Sequence, residues 1–302
     1  MKFVLLLICL SFFTFSDAWA VESEPQLQQS SDESIVIRAR WRAGDMRRYE
    51  FTEKTGNPNI PQEEFSTRSA EIHVDVVGEV SGGYALLWRF FSDDIEFLGE
   101  PQLDSLLRIL LTDGIVIYTD RMGMFLQIGN LTEFQEHLQH AVRKLQSREY
   151  WSSNDEMNSY LRIIDDDEWF EAYLMKDIRF FLGLKGVKVN PREDFKYDTW
   201  QENPWGEALR STGEISTLEF RPDDNFIKVS NTVTADKEAL NELAAYLESG
   251  GYEGNHDDLV VSESQIYTMN YRTGWIKTLE IKDNIYAGQA GRVRTVTFEE
   301  IE

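Results

Sequence analysis

The residues whose types and spacing come closest to a metal site are Glu133, Glu136, His137 and His140. On a helix they fall at offsets of zero, three, four and seven positions, so their side chains share one face. Within that set Glu133, His137 and His140 offer the two imidazoles and one carboxylate that suit zinc. The spacing is H-x-x-H, however, and the zinc-protease pattern H-E-x-x-H is absent. Phe134, Leu138, Ala141, Val142 and Leu145 form the apolar stripe of the same helix, which leaves the four polar groups on its solvated side. Neither a metal nor a cofactor is expected.

Covalent and phosphate chemistry find no better footing. There is no G-x-S-x-G elbow, and the single cysteine, Cys9, lies in the apolar N-terminal run. His73 and His256 have no marked serine or aspartate partner. Gly183-Leu184-Lys185-Gly186 is too short for a phosphate loop, and Gly254–Asp258 lacks the ligand order of a calcium loop. Nothing singles out a carboxylate pair for glycoside hydrolysis. The chain reads as non-enzymatic, with a hydrolase lacking any recognisable motif as the least favoured alternative.

The remaining signal is aromatic: eight Trp, twelve Tyr and eighteen Phe. Most fall on strand faces and helix stripes, where core packing accounts for them. Tyr150 and Trp151, just after the first helix, fit that account less well, as do Trp200 and Trp205, expected in a loop that contains Asn203 and Pro204. These four are the candidate binding residues, either on an exposed patch or at the mouth of a cavity.

The N-terminus bounds the compartment. Lys2 precedes an apolar run from Phe3 to Phe15, and Ala18 and Ala20 give the small-x-small pattern that signal peptidase cuts. The run is shorter than the ~20 residues that cross a bilayer. Residues 1–20 are therefore expected to be a removable export signal, with no membrane span afterwards. A periplasmic or extracellular protein is implied, and bacterial export fits a chain left without cysteine better than a eukaryotic route. Lys2 and Asp17 cancel, so removing the signal leaves the net charge at −23. Such a surface repels phosphate backbones, which argues against nucleic acid as a partner.

Behind these residues stands an alternating architecture. Val21–Ser34 is polar and reads as a disordered leader. Ile35–Trp41 and Tyr49–Phe51 alternate around Ala43-Gly44-Asp45, as the arms of a hairpin do. Ala70–Val76 and Tyr84–Phe90 repeat the pattern around Ser81-Gly82-Gly83, and Ile115–Thr119 pairs with Met124–Ile128. Leu103–Leu111 is ambiguous between strand and helix. Thr132 and Gln135 suggest a capping box opening a helix to Gln146. Helices over Glu156–Ile164 and Asp167–Leu182 follow, the second opened by acids that offset its dipole. Strands return at Gly213–Arg221 and Phe226–Val233, then a helix over Asp236–Leu247, then Ser264–Asn270 and Trp275–Lys282, and a last strand near Val293–Phe298.

The fold class is α+β: about ten antiparallel strands in a long sheet expected to curl under its twist, with about four helices on the concave face. Residues 35–302 are expected to form one β-rich domain with a helical insertion at 131–184. The serial hairpins, the helices Glu133–Gln146 and Asp167–Leu182, and the closing hairpin through Tyr271-Arg272-Thr273-Gly274-Trp275 resemble the half-barrel of periplasmic lipoprotein-carrier proteins. The closing segment is also similar to uncharacterised exported bacterial proteins. The resemblance spans Ile35–Ile301, implies the fold, and carries over no functional residue. Three functions stay open: a binder of a hydrophobic ligand such as an acyl chain or lipoprotein, an envelope protein–protein interaction or structural module, and the motif-free hydrolase.

Overall fold

The computed structural model describes residues 34–58, 61, 64–92, 101–146, 161–203, 208–249, 259–287 and 290–302. Residues 1–33, where the signal and most of the leader are expected, lie outside this set.

Thirteen strands are present among the described residues. They are β1 Ile35–Val36, β2 Met46–Gly56, β3 Ser66–Val80, β4 Gly83–Phe91, β5 Ile115–Asp120, β6 Phe125–Ile128, β7 Lys188–Val189, β8 Phe195–Gln201, β9 Leu209–Arg221, β10 Phe226–Ala235, β11 Leu259–Asn270, β12 Ile276–Ala287 and β13 Ala290–Ile301. The helices are α1 Pro101–Asp113, α2 Leu131–Gln146, α3 at 161–165, α4 Asp167–Met175, α5 Ile178–Leu182 and α6 Lys237–Ser249.

Eleven strands form one antiparallel sheet in the order β6-β5-β4-β3-β2-β13-β12-β11-β10-β9-β8. Every neighbour is consecutive in sequence except at the middle, where β2 pairs with β13 from Gly56–Val293 to Arg48–Ile301. The α+β class and the long antiparallel sheet thus stand, but the curl does not. The sheet is neither closed nor strongly curled and ends in β6 and β8. Closure needs the two edges to meet. Here the edge strands β6 and β8 are not paired with each other.

One face alternates into the core. Tyr49, Phe51, Ile72, Val74, Trp88, Tyr267, Leu279, Val296 and Phe298 are all buried there. Phe181 of α5 sits on them edge-on, its ring 5.1 Å from those of Tyr49 and Trp88. Leu103 and Leu107 of α1 and Phe134, Leu138 and Val142 of α2 extend the same cluster. Near Leu209, Ala235 and Val261, the cover is α6 through Ala239 and Leu243.

Three local expectations are corrected. Ile35–Trp41 does not fold back on β2. Only β1 is extended, and it pairs with β7 in a separate two-stranded sheet. The rest spends its amides on loops: Ile37 N–H donates to Val187 O, Ala39 N–H to Met122 O and Arg40 N–H to Thr273 O. That buries Ile37, Ala39 and Trp41 more fully than an edge hairpin would. The capping box is also absent, because α2 already begins at Leu131. Gln135 instead donates to Ile164 O at 3.0 Å and Asp167 Oδ1 at 2.7 Å, tying α2 to α3 and α4. Finally, the helix expected over Asp167–Leu182 is broken at Lys176-Asp177. Leu103–Leu111 resolves as helix, within α1.

Candidate functional site

The break at Lys176-Asp177 leads to a place where the inner face turns polar. Parity carries the apolar rows onward into charge. On β2 the residue after Tyr49 and Phe51 on that face is Glu53, and on β13 Arg294 continues Val296 and Phe298. On β12 Asp283 follows Leu279 and Ile281. On β11 Glu263 and Gln265 continue Met269 and Tyr267. Register then lines them up: Glu263 faces Asp283, Asp283 faces Arg294, and Glu53 faces Arg68 of β3.

Arg294 is the hub. Its Nε donates to Glu53 Oε1 at 2.5 Å, Nη2 to Asp177 Oδ1 at 2.6 Å and Nη1 to Asp283 Oδ2 at 3.3 Å. One planar fork thus holds three carboxylates on three elements, a geometry only guanidinium supplies. Arg68 adds a second cation, 2.7 Å from Glu53 and 3.8 Å from Asp177. Its guanidinium also lies over the rings of Phe51 and Phe90, at 5.4 and 5.7 Å. Asp177 stands at the N-cap position of α5 but makes no side-chain cap. Its carboxylate goes to the sheet instead, which explains the helix break.

The electrostatics follow from burial set against pairing. Burial alone would raise the Glu53 and Asp177 carboxyls. Arg294 with Arg68 at Glu53, and Arg294 with Lys176 and Arg68 at Asp177, hold both below their ordinary range. Burial depresses the Lys176 ammonium. Glu263 moves the other way: burial first, then Asp283, raise it to about 7, against the weaker pull of Arg179.

The rank continues toward β8 through a glycine. Tyr197 of β8 faces Gly213 of β9, and a Cβ on Gly213 would stand 2.2 Å from the tyrosine Cζ. The bare glycine lets the ring lie across β9, so that its hydroxyl donates to Asn231 Oδ1 at 2.8 Å. Gly213→Ala must lift that ring, and a loss of about 1–3 kcal/mol is expected, as for an overpacked core position. Urea unfolding of the Gly213→Ala protein beside its parent checks this. Equal midpoints and slopes would show that Tyr197 is not confined.

Void space around the cluster is small. A cleft of about 40 Å³ is lined by Arg68, Trp88, Phe90, Tyr173, Lys176 and Asp177 among others. That holds a few waters, against the roughly 300–1,000 Å³ of a ligand pocket. A larger open groove of about 560 Å³ lies on the surface between Ile35, Pro191, Arg192, Leu218 and Phe220.

Those of the residues singled out from sequence that are described are not part of the rank. Glu133, Glu136, His137 and His140 are exposed on α2, and the His137 Nδ1 lies 2.7 Å from Glu133 O. Among the described residues no three His, Cys, Asp or Glu side chains are arranged to hold a metal ion. Tyr150, Trp151 and Trp205 lie outside the described residues. Trp200 stands in edge strand β8 and not in a loop, and it is 58% exposed. Phe195, at the other end of β8, is 53% exposed and stacks on Tyr197. No known family model matches the chain, and no curated protein is significantly similar to it.

Proposed function

We propose that this is an exported, non-enzymatic interaction module whose sheet edge β8 receives an extended segment of a protein partner. The observation that carries the reading is the edge itself. β8 ends the sheet order, so its outer backbone has no strand partner among the described residues. Phe195 and Trp200 stand exposed along it. Strand addition draws affinity from such main-chain groups and selectivity from side chains beside them. Among the described residues no helix is long and apolar enough to cross a membrane.

A photoreactive amino acid at position 200 tests this in the organism of origin, with a second probe at Leu126 on the opposite edge. Crosslinks to one protein species are expected from position 200 and not from position 126. Equal yields at both positions, or none at 200, would sink the proposal. The open groove beside Ile35 and Phe220 favours a second reading, an apolar small ligand held at the surface. Native mass spectrometry of gently purified protein separates the two, because a retained lipid-sized adduct belongs only to the second.

A further inference from the structure

The rank of charges contains a pair that the interaction reading does not use. Glu263 and Asp283 are direct cross-strand partners, and the Asp283 charge acts on the Glu263 carboxyl. Two chains of contacts run from this pair to the helices above it. The first passes from Glu263 Oε1 to Gln265 Nε2 at 2.5 Å, then from Gln265 Oε1 to the Tyr267 hydroxyl at 2.6 Å. That hydroxyl lies 2.8 Å from the carbonyl of Phe180 in α5. The second passes from Asp283 through Arg294 to Asp177, at the junction of α4 and α5. Through these intermediaries the acid pair is linked to both the body of α5 and its hinge with α4.

We propose that α4 and α5 form a proton-controlled clasp, tied to the sheet through the Glu263–Asp283 pair while Glu263 keeps its proton and loosened when that proton passes to water. The groups facing Glu263 support this balance. On its own strand these are Gln265 and Tyr267, and on β12 Asp283, with Arg294 behind it on β13. From the edge, Tyr197 of β8 is in electrostatic reach. From the cover, the cation Arg179 of α5 acts on Glu263 and also on Glu202. With the proton present, the pair is one anion, answered by Arg294. Without it, two adjacent carboxylates lie under α5, and lifting the helix hydrates both.

Linkage fixes the direction. Burial raises the Glu263 carboxyl to about 7 in the closed form, and opening returns it toward an ordinary value of about 4.3. Closure is therefore strongest below the ordinary carboxyl range. It weakens as pH rises through about 7 and changes little beyond. A two-state element biased by one proton is the general design of such switches.

Thiol accessibility reads the clasp directly, since Cys9 is the only native cysteine. In a Cys9→Ser chain, Met175→Cys places a buried reporter on α4 and Leu243→Cys a buried control on α6. Labelling rates are divided by those of the same unfolded protein at each pH, which removes the thiol's own ionisation. Labelling at position 175 is expected to rise about tenfold from pH 6 to pH 8.5, following the linkage relation. In Glu263→Gln the rise should fall below about twofold, because the substituted side chain has no proton to lose. Position 243 should follow the Glu263→Gln behaviour. An equal rise at position 243, an unchanged rise in Glu263→Gln, or no rise at 175 would each overturn the clasp. Ala172→Cys, also buried on α4, serves as the reporter if Met175→Cys does not fold.

Discussion

Arg294→Leu is expected to lower folding stability by about 3–5 kcal/mol at pH 7.5, the range for removing one partner from a buried ion cluster. The loss arises less from the missing bonds than from what they leave behind. Glu53, Asp177 and Asp283 all lean on this one guanidinium; what remains is Arg68, close to Glu53 and at 3.8 Å from Asp177, and the burial-depressed Lys176 beside Asp177. Two buried carboxylates would then lack an adequate cation. Arg294→Lys should recover less than half of the loss, because a point charge cannot reach three acids at once. The pH dependence has a definite sign. Pairing holds the Glu53 and Asp177 carboxyls below their unfolded values, so their contribution is present above the ordinary carboxyl range. It is lost as pH falls through the lowered values. The gap between parent and Arg294→Leu should therefore narrow in guanidinium melts at pH 3. A gap below about 1 kcal/mol at pH 7.5, the worth of an exposed pair, would show that the cluster is solvated and not buried.

Much of the fold was legible because it is local. The hairpins around Ser81-Gly82-Gly83 and Pro222-Asp223-Asp224-Asn225 are set by turn chemistry and period-two alternation, and both are present. The charged rank was half legible. Glu53 after Tyr49 and Phe51, and Arg294 before Val296 and Phe298, are charges at core-facing parity, a conflict that points to a paired group inside. Their pairing was not legible. Arg294 meets Glu53 and Asp177 across sequence separations of 241 and 117 residues, and the β2–β13 register that joins them has no local signature. Asp177 was hidden for a related reason: an aspartate inside an apolar helical period looks like a tolerated interruption until its partner is known. Trp200 was misplaced because Asn203 and Pro204 suggested a loop, although Phe195, Tyr197 and Thr199 alternate up to it. The stretch Ile35–Trp41 alternates like a strand, yet its amides are claimed by three loops, and alternation reports burial without naming the hydrogen-bond partner.

Lys185 should give stability its steepest rise on the alkaline side. Its side chain is 3% exposed, and Nζ donates to Gly274 O at 2.5 Å while lying 5.8 Å from the centre of the Trp41 ring. The contact pins the β11–β12 turn to the segment that carries Ile37, Ala39 and Trp41. Burial alone pushes the amine down to about 7, so between pH 7 and the ordinary lysine range the unfolded chain holds a proton that the folded one does not. Stability must then rise with pH across that window and reach a floor below it. The gain from this group is on the order of 3–5 kcal/mol if the whole shift is expressed. Lys185→Met keeps the length and removes the charge, at the loss of a hydrogen bond worth about 1 kcal/mol. The methionine protein should be the more stable of the two at pH 6 by several kcal/mol, and its advantage should shrink to below about 1 kcal/mol near pH 9.5, so the profiles converge. Lys176, also depressed by burial, adds a slope common to both proteins and cannot produce the convergence. Guanidinium melts at pH 6, 8 and 9.5 read it out, below the range where the raised Tyr49, Tyr173 and Tyr267 hydroxyls begin to matter. Parallel profiles would mean that Lys185 keeps its proton in the fold, and that the turn is held by a hydrated ammonium and not by a buried amine.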